Sequence, residues 1–325
     1  MPDDAAWDTY GEGGLVAELE RRTAEVLGKE AAVFSISGKT AQLAALRVHA
    51  DERGRTAIAA HPRSHIVEDE NDAIGALWGL RVARTGSLGL PFGRSDINAV
   101  AEPLAAVVVE LPLRRAAFAA PSWDELAGIA DDARYRGAAV HLDGARLWEC
   151  APAYGRRPAE VAELADTVYV SYYKGLGGLA GGALAGDART IAAARAWITR
   201  AGGIVYRMAP YAAAALAGLE AELPRMPAYY ARAVALAARL QGIAGVTVAA
   251  DPPMSNAFAV YVACDAATLS AAHDRVIASH GIEIFGRAVP AQNPAASFFE
   301  FVVGPATDAC TDDEIITAFA ALVAP

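Results

Sequence analysis

A lysine that closes an apolar run and is followed at once by glycines needs a chemical reason. In residues 170–178, VSYYKGLGG, Lys174 ends a strand-like stretch and Gly175, Gly177 and Gly178 come directly after it. A buried ammonium is costly unless it is paired or consumed in a covalent bond, and glycines let backbone approach whatever the lysine holds. An imine to a carbonyl-bearing cofactor would satisfy both features. A lysine reaching past a turn into solvent fits the segment equally well.

A second segment bears on the choice. In residues 139–149, AVHLDGARLWE, an apolar run delivers Asp143 to a strand end, and Gly144 turns the chain toward Arg146. Asp143 precedes Lys174 by 31 residues, room for one helix-plus-strand unit. An aspartate facing a protonated pyridine nitrogen is what an electron-sink cofactor requires, because the cationic ring takes up the charge formed at a substrate carbon. The alternative is an N-capping aspartate followed by a surface ion pair.

In residues 34–46, FSISGKTAQLAAL, a Ser-Gly turn opens a helix. Helix N-termini bind phosphate through free N–H groups and the macrodipole. SGKT mimics the end of a P-loop, yet that motif needs a glycine where Val33 stands, which argues against a nucleoside triphosphate. A single phosphate held by Ser37, Gly38, Lys39 and Thr40 fits, as does an ordinary helix start. Residues 61–74, HPRSHIVEDENDAI, add His61 and His65 ahead of an acidic stretch, either of which could stack on a ring or shuttle a proton near neutral pH.

These residues need a scaffold that brings strand ends together. Val- and Ile-rich runs at 56–60, 105–111, 138–143 and 167–172 alternate with amphipathic segments at 15–27, 122–136 and 158–164, which predicts an α/β fold with a largely parallel sheet and chemistry at the strand C-termini. After a helical stretch over 209–240, the pattern becomes strand 246–249, strand 257–262, helix 266–280, strand 283–285, strand 297–303 and helix 311–322. That predicts an N-terminal arm (1–14), a large domain (15–235) and a small α+β domain (236–325). Hydrophobic residues at 54% can fill two such cores. A net charge of −10 without a basic block argues against nucleic acid. Three widely spaced cysteines match neither a disulfide framework nor a metal signature, and no segment has the length and apolarity of a signal peptide or membrane span. A soluble cytoplasmic protein without a metal is expected.

Taken in order, YGEGGLVAELE, SGKTAQLAAL, SHIVEDENDA, HLDGARLWE and YYKGLGGLAGG resemble the motif series of the threonine aldolase/β-eliminating lyase family of fold-type I pyridoxal-5′-phosphate (PLP) enzymes. The resemblance implies an aspartate aminotransferase-like fold, PLP as cofactor, and a homodimer or homotetramer with active sites at subunit interfaces. It implies that Lys174 is the Schiff-base lysine and that Asp143 faces the pyridine nitrogen. Arg146 would contact the ring hydroxyl or the substrate carboxylate, His65 would stack on the ring, and Gly38 with its neighbours would hold the phosphate. Tyr10 would contribute across the subunit boundary.

Three departures bear on substrate. EFVVG places Glu300 where the family carries a carboxylate-gripping arginine. ELPLRR, residues 110–115, lacks the family's substrate-side histidine, and GGIVYRM leaves Arg207 as a shifted phosphate or carboxylate ligand. An acid in place of a bidentate arginine repels an α-carboxylate, so either Arg114, Arg115 or Arg207 replaces the clamp, or the substrate carries a basic or neutral group there.

The leading expectation is retro-aldol cleavage of a β-hydroxy-α-amino acid to glycine and an aldehyde. Other reactions at Cα, such as β-elimination, racemisation or side-chain exchange, share the same machinery. A nicotinamide oxidoreductase could be argued only from GLGGLAGG, whose glycines lie mid-chain behind a lysine rather than opening a first helix.

Overall fold

The computed structural model describes residues 7–291, 293 and 295–324, and the chain divides into two compact units that meet in sequence at Arg225 and Met226. The helical stretch over 209–240 is two helices, Ala209–Ala221 and Met226–Leu240, interrupted by a 3-10 turn at Leu223–Arg225. Pro224 lies in that turn and Pro227 in the first turn of the next helix, where a missing N–H costs least. Residue 236, the boundary expected from pattern, lies inside the second helix.

The first unit is built on seven strands: β1 (Ala31–Ser35), β2 (Ala57–Ala60), β3 (Arg81–Arg84), β4 (Ala106–Glu110), β5 (Ala139–Gly144), β6 (Thr167–Ser171) and β7 (Gly182–Gly186). Their order in the sheet is β1-β7-β6-β5-β4-β2-β3. From β3 through β6 the pairings are parallel, and every residue of β5 and β6 is buried, as expected for strands covered on both faces. The glycine-rich segment that could suggest a dinucleotide loop instead enters β7, which runs antiparallel to both β6 and β1. Two reversals restore direction, so β1 runs the same way as β2 to β6. The C-terminal ends of β1, β2, β4, β5 and β6 therefore share one edge of the sheet.

The helix Gly38–Arg53 lies across one face of this sheet and is fixed there by a buried polar bridge. Near its C-terminal end His49 Nε2 lies 2.8 Å from Thr167 Oγ1, and His141 Nδ1 reaches the same hydroxyl at 2.9 Å. Thr167 and His141 are register partners on β6 and β5, so the helix end is tied to the strand interiors. Its N-terminus then overlies the strand ends, where Asp143 and Tyr169 sit two residues further along on the same face.

The second unit carries a four-stranded antiparallel sheet of β8 (Val246–Val248), β9 (Ala257–Val262), β10 (Val289–Pro290) and β11 (Ser297–Val302), in the order β10-β11-β9-β8. The strand expected at residues 283–285 does not form. The backbone N–H groups of Ile284 and Phe285 donate instead to His273 Nε2, at 2.8 and 3.4 Å, and the Phe285 ring stacks on that imidazole. A side-chain acceptor has taken the donors that a strand would spend on a neighbour.

Burial pushes the His49 and His141 pKa values down to about 4 and about 3, and each ring keeps one buried nitrogen without a partner. The folded values lie below the unfolded one, so the unfolded chain binds protons more tightly and stability is lost as pH falls from 6.5 toward 4. The slope is about 1.4 kcal/mol per pH unit for each histidine. The urea midpoint should fall between about pH 7 and pH 5, and His141→Gln should flatten that fall; an equally steep fall in the variant would contradict the assignment.

Candidate active site

Lys174 is held by a loop whose backbone is anchored on every side. Just before it, Ser171 Oγ donates to the Ala145 carbonyl at 2.7 Å, and Trp148 Nε1 donates to the Ser171 carbonyl at 3.0 Å. Just after it, the Gly175 N–H donates to Glu149 Oε1 at 2.9 Å and the Gly178 N–H to the Tyr172 carbonyl at 2.7 Å. Glycine is required at two of these positions for different reasons. A Cβ on Gly175 would lie 2.3 Å from Glu149 Oε1, and Gly177 has φ of +67°. Lys174 itself is half-buried, with Nζ 5.3 Å from the centre of the Tyr173 ring. Burial lowers its pKa, Arg146 lowers it further, and Asp143, Glu149 and Glu110 oppose them. An amine shifted toward its neutral form is a better nucleophile.

Asp143 ends β5 in a buried position, and its Oδ1 accepts the Ala145 N–H at 3.1 Å. It does not cap a helix, since the residue preceding the helix Leu147–Cys150 is Arg146. The Arg146 guanidinium lies 5.2 Å from the centre of the Phe118 ring, so it leans on an aromatic face rather than forming a surface ion pair. Asp143 stands opposite Glu110 on β4 and Tyr169 on β6, which places the three side chains in one row on the helix-covered face.

At the start of the helix Gly38–Arg53, Ser37 is the N-cap, its Oγ accepting the Thr40 N–H at 3.3 Å. The N–H groups at the head of a helix have no intrahelical acceptor, so those of Gly38 and Lys39 are available to an anion. Gly38 is compelled by a close neighbour: a Cβ there would fall 1.9 Å from the Tyr169 hydroxyl oxygen.

The two histidines separate cleanly. His61 is spent on backbone, with Nε2 against the Ser87 carbonyl at 2.9 Å and Nδ1 accepting the Arg63 N–H at 3.0 Å. His65 uses only Nδ1, 3.0 Å from Glu70 Oε1, and its side chain is 44% exposed. The hydrogen bond with Glu70 raises the His65 pKa against the opposing effect of burial, with Asp143 and Glu110 adding to the rise. Glu70 is fully buried, which raises its own pKa, and its Oε2 has no partner. The His65 backbone N–H donates to Glu110 Oε2 at 2.7 Å, and Arg114 N–H donates to Glu110 Oε1 at 3.2 Å. Burial first, and the neighbouring Asp143 second, push the Glu110 pKa up to about 7.

Lys174, Asp143, Arg146, His65 and the Gly38 turn thus gather at one sheet edge. Arg207 donates to the Asp8 carbonyl and to Thr9 Oγ1 and packs over the Trp7 and Tyr206 rings. Tyr10 meets Tyr206 edge to face and remains 60% exposed. This arm is pinned by Asp8, buried and accepting the N–H groups of Gly11, Met208 and Ala209. Arg115 pairs with Asp69 and Glu68, so its charge is already matched. Glu300 lies on β11 of the second unit, opposite Ala259. Among the described residues no cluster of His, Cys, Asp or Glu could hold a metal ion, and no helix is long and apolar enough to cross a membrane.

Glu149, Glu70 and Tyr169 were not singled out by motif reading. Glu149 could have been noticed three residues after Arg146, and Tyr169 two residues after Thr167 on the same strand face. Their roles, however, depend on what they touch rather than on local pattern.

The family model for beta-eliminating lyases matches residues 3–265. The chain is 28% identical over 247 residues to the probable low-specificity L-threonine aldolase 2 of Arabidopsis thaliana, covering 73% of this chain and 69% of that protein. A Listeria monocytogenes structure described as a candidate L-allo-threonine aldolase superposes with a TM-score of 0.95 at 34% identity, over 99% of this chain and 89% of that one. An Exiguobacterium structure, described as a candidate aromatic amino acid beta-eliminating lyase/threonine aldolase, gives 0.94 at 35%, over 99% and 90%.

If Glu70 holds the raised His65 pKa, Glu70→Gln should move the imidazole titration to lower pH. NMR of the His65 ring checks this, and an unmoved titration would contradict the pairing.

Proposed function

The chain belongs to the beta-eliminating lyase family, and from that premise we propose that it cleaves a β-hydroxy-α-amino acid to glycine and an aldehyde, with Lys174 as the residue that bonds the cofactor. The protein is a threonine aldolase-like, PLP-dependent lyase of fold type I. PLP supplies an electron sink that stabilises negative charge at the substrate Cα.

The residues present suit that cofactor. The observation that carries the reading is the conjunction of a half-buried lysine of lowered pKa with a buried aspartate on the adjacent strand end. Lys174 would bond the carbonyl, and Asp143 would face the ring nitrogen and keep its proton in place. The Gly38 turn, with Ser37, Lys39 and Thr40, would receive the phosphate. Arg146 would meet an oxygen of the ring or of the substrate.

His65 is the proposed base at the β-hydroxyl. Its Nδ1 is occupied by Glu70, which leaves Nε2 to exchange a proton. Glu110 supports this indirectly, because its carboxylate fixes the backbone at both His65 and Arg114. Arg114 is offered for the substrate carboxylate because it follows β4 beside Glu110, whose Oε1 accepts the Arg114 backbone N–H. Tyr10 is offered as the arm's contribution to a neighbouring site, supported by its exposure beside Tyr206. A homodimer or homotetramer in the cytoplasm completes the reading; the unpaired cysteines Cys150, Cys264 and Cys310 accord with a reducing compartment.

A panel of β-hydroxy amino acids should release aldehyde, and His65→Asn should slow release by about 10²–10⁴-fold, the usual worth of a general base. Silence across the panel, with pyruvate or ammonia released from β-substituted amino acids instead, would replace aldol cleavage by β-elimination.

A further inference from the structure

Tyr169 is a large polar residue at the centre of the site that none of the roles above uses. It is 2% exposed and stands opposite Asp143 in the parallel β5–β6 pairing, so its side chain leaves the sheet on the same face. The ring runs past Gly182, where a Cβ would lie 2.6 Å from Cε2, and ends at Gly38, where a Cβ would lie 1.9 Å from the hydroxyl oxygen. The phenol oxygen is therefore pressed against the first residue of the helix Gly38–Arg53, beside the free N–H groups of its first turn. The Tyr173 side chain is hydrogen-bonded to this phenol, and Asp143 and Glu70 are near enough to act on its charge.

Packing alone does not call for this arrangement. A phenylalanine would fill the same space between β6 and the helix, whereas the hydroxyl brings a polar atom into the crowded contact that forces residue 38 to be glycine. Burial holds the phenol protonated far above neutral pH, so the group is a donor throughout the working range. A neutral O–H beside helix N–H groups suits an anion that accepts hydrogen bonds from several directions, as a phosphate ester does.

We propose that the Tyr169 hydroxyl is a phosphate-binding donor that completes the Gly38 turn and so selects the phosphorylated form of the cofactor, an inference that rests on the PLP reading above. Ser37 Oγ accepts the Thr40 N–H at the turn itself, and Tyr169 brings a further side-chain hydroxyl to the same turn from the sheet below.

The test compares binding of PLP and of pyridoxal, which lacks the phosphate, to apo-protein. Tyr169→Phe should weaken PLP binding by about tenfold, the worth of one hydrogen bond to a charged group, and leave pyridoxal binding unchanged. The rise in melting temperature that inorganic phosphate gives the apo-protein should shrink in the same variant. Equal losses for PLP and pyridoxal, or no loss for either, would overturn the inference. If the variant does not fold, a fluorotyrosine placed at position 169 of the otherwise unaltered protein should shift its fluorine resonance when inorganic phosphate is added, and no shift would overturn it equally. A wild-type protein that takes up neither compound sinks the cofactor reading itself, and is distinguishable because the variant then has nothing to lose.

Discussion

The site depends on one electrostatic constraint: four carboxylates and two cations share a partly dry sheet edge, and each must be held where a neighbour offsets its charge. Asp143 is buried with one backbone N–H as partner, Glu110 binds two backbone N–H groups, Glu70 binds His65, and Glu149 binds Gly175. Lys174 and Arg146 are the cations set among them. In low dielectric an unpaired charge costs several kcal/mol, so the protons move until the charges balance. That is why burial raises the pKa values of Glu70, Glu110 and Glu149 while it lowers that of Lys174. The burial that lowers the Lys174 pKa is the same burial that raises those of Glu70, Glu110 and Glu149.

The fold supplies that edge by directing strands rather than by local design. Antiparallel β7 lets β1 rejoin the parallel set, so the Gly38 turn emerges on the same side as Asp143 and Lys174. The His49–Thr167–His141 bridge then fixes where the helix Gly38–Arg53 lies, and with it the position of its N-terminus. Glycines mark the places where this convergence leaves no room: Gly38 against Tyr169, Gly175 against Glu149, and Gly218, where a Cβ would sit 2.1 Å from the Leu176 carbonyl.

Much of this was legible in the residues alone, and the parts that were not have a common cause. Lys174, Asp143 and the Gly38 turn announce themselves because each couples a strand end to a specific turn within a few residues. The α/β alternation likewise follows from short-range periodicity. Glu70, Glu149 and Tyr169 remained hidden because their importance comes from strand register and from contacts across the sheet edge. The strand expected at residues 283–285 was misjudged for a related reason: its apolar pattern is real, but His273, distant by eleven residues, captures its N–H groups. The chain's run of glycines at 177–182 carries no dinucleotide site; it is the entry to β7, where small residues let neighbouring side chains such as Tyr169 pass.

The account stands or falls on what Lys174 holds. The most direct measurement is the visible spectrum of the protein purified with PLP, followed by borohydride reduction and peptide mass analysis, for wild type and Lys174→Ala. The account predicts a coloured wild type whose reduced cofactor stays covalently on Lys174, and a variant that fixes none. A colourless wild type, or cofactor fixed on a different lysine, would contradict it.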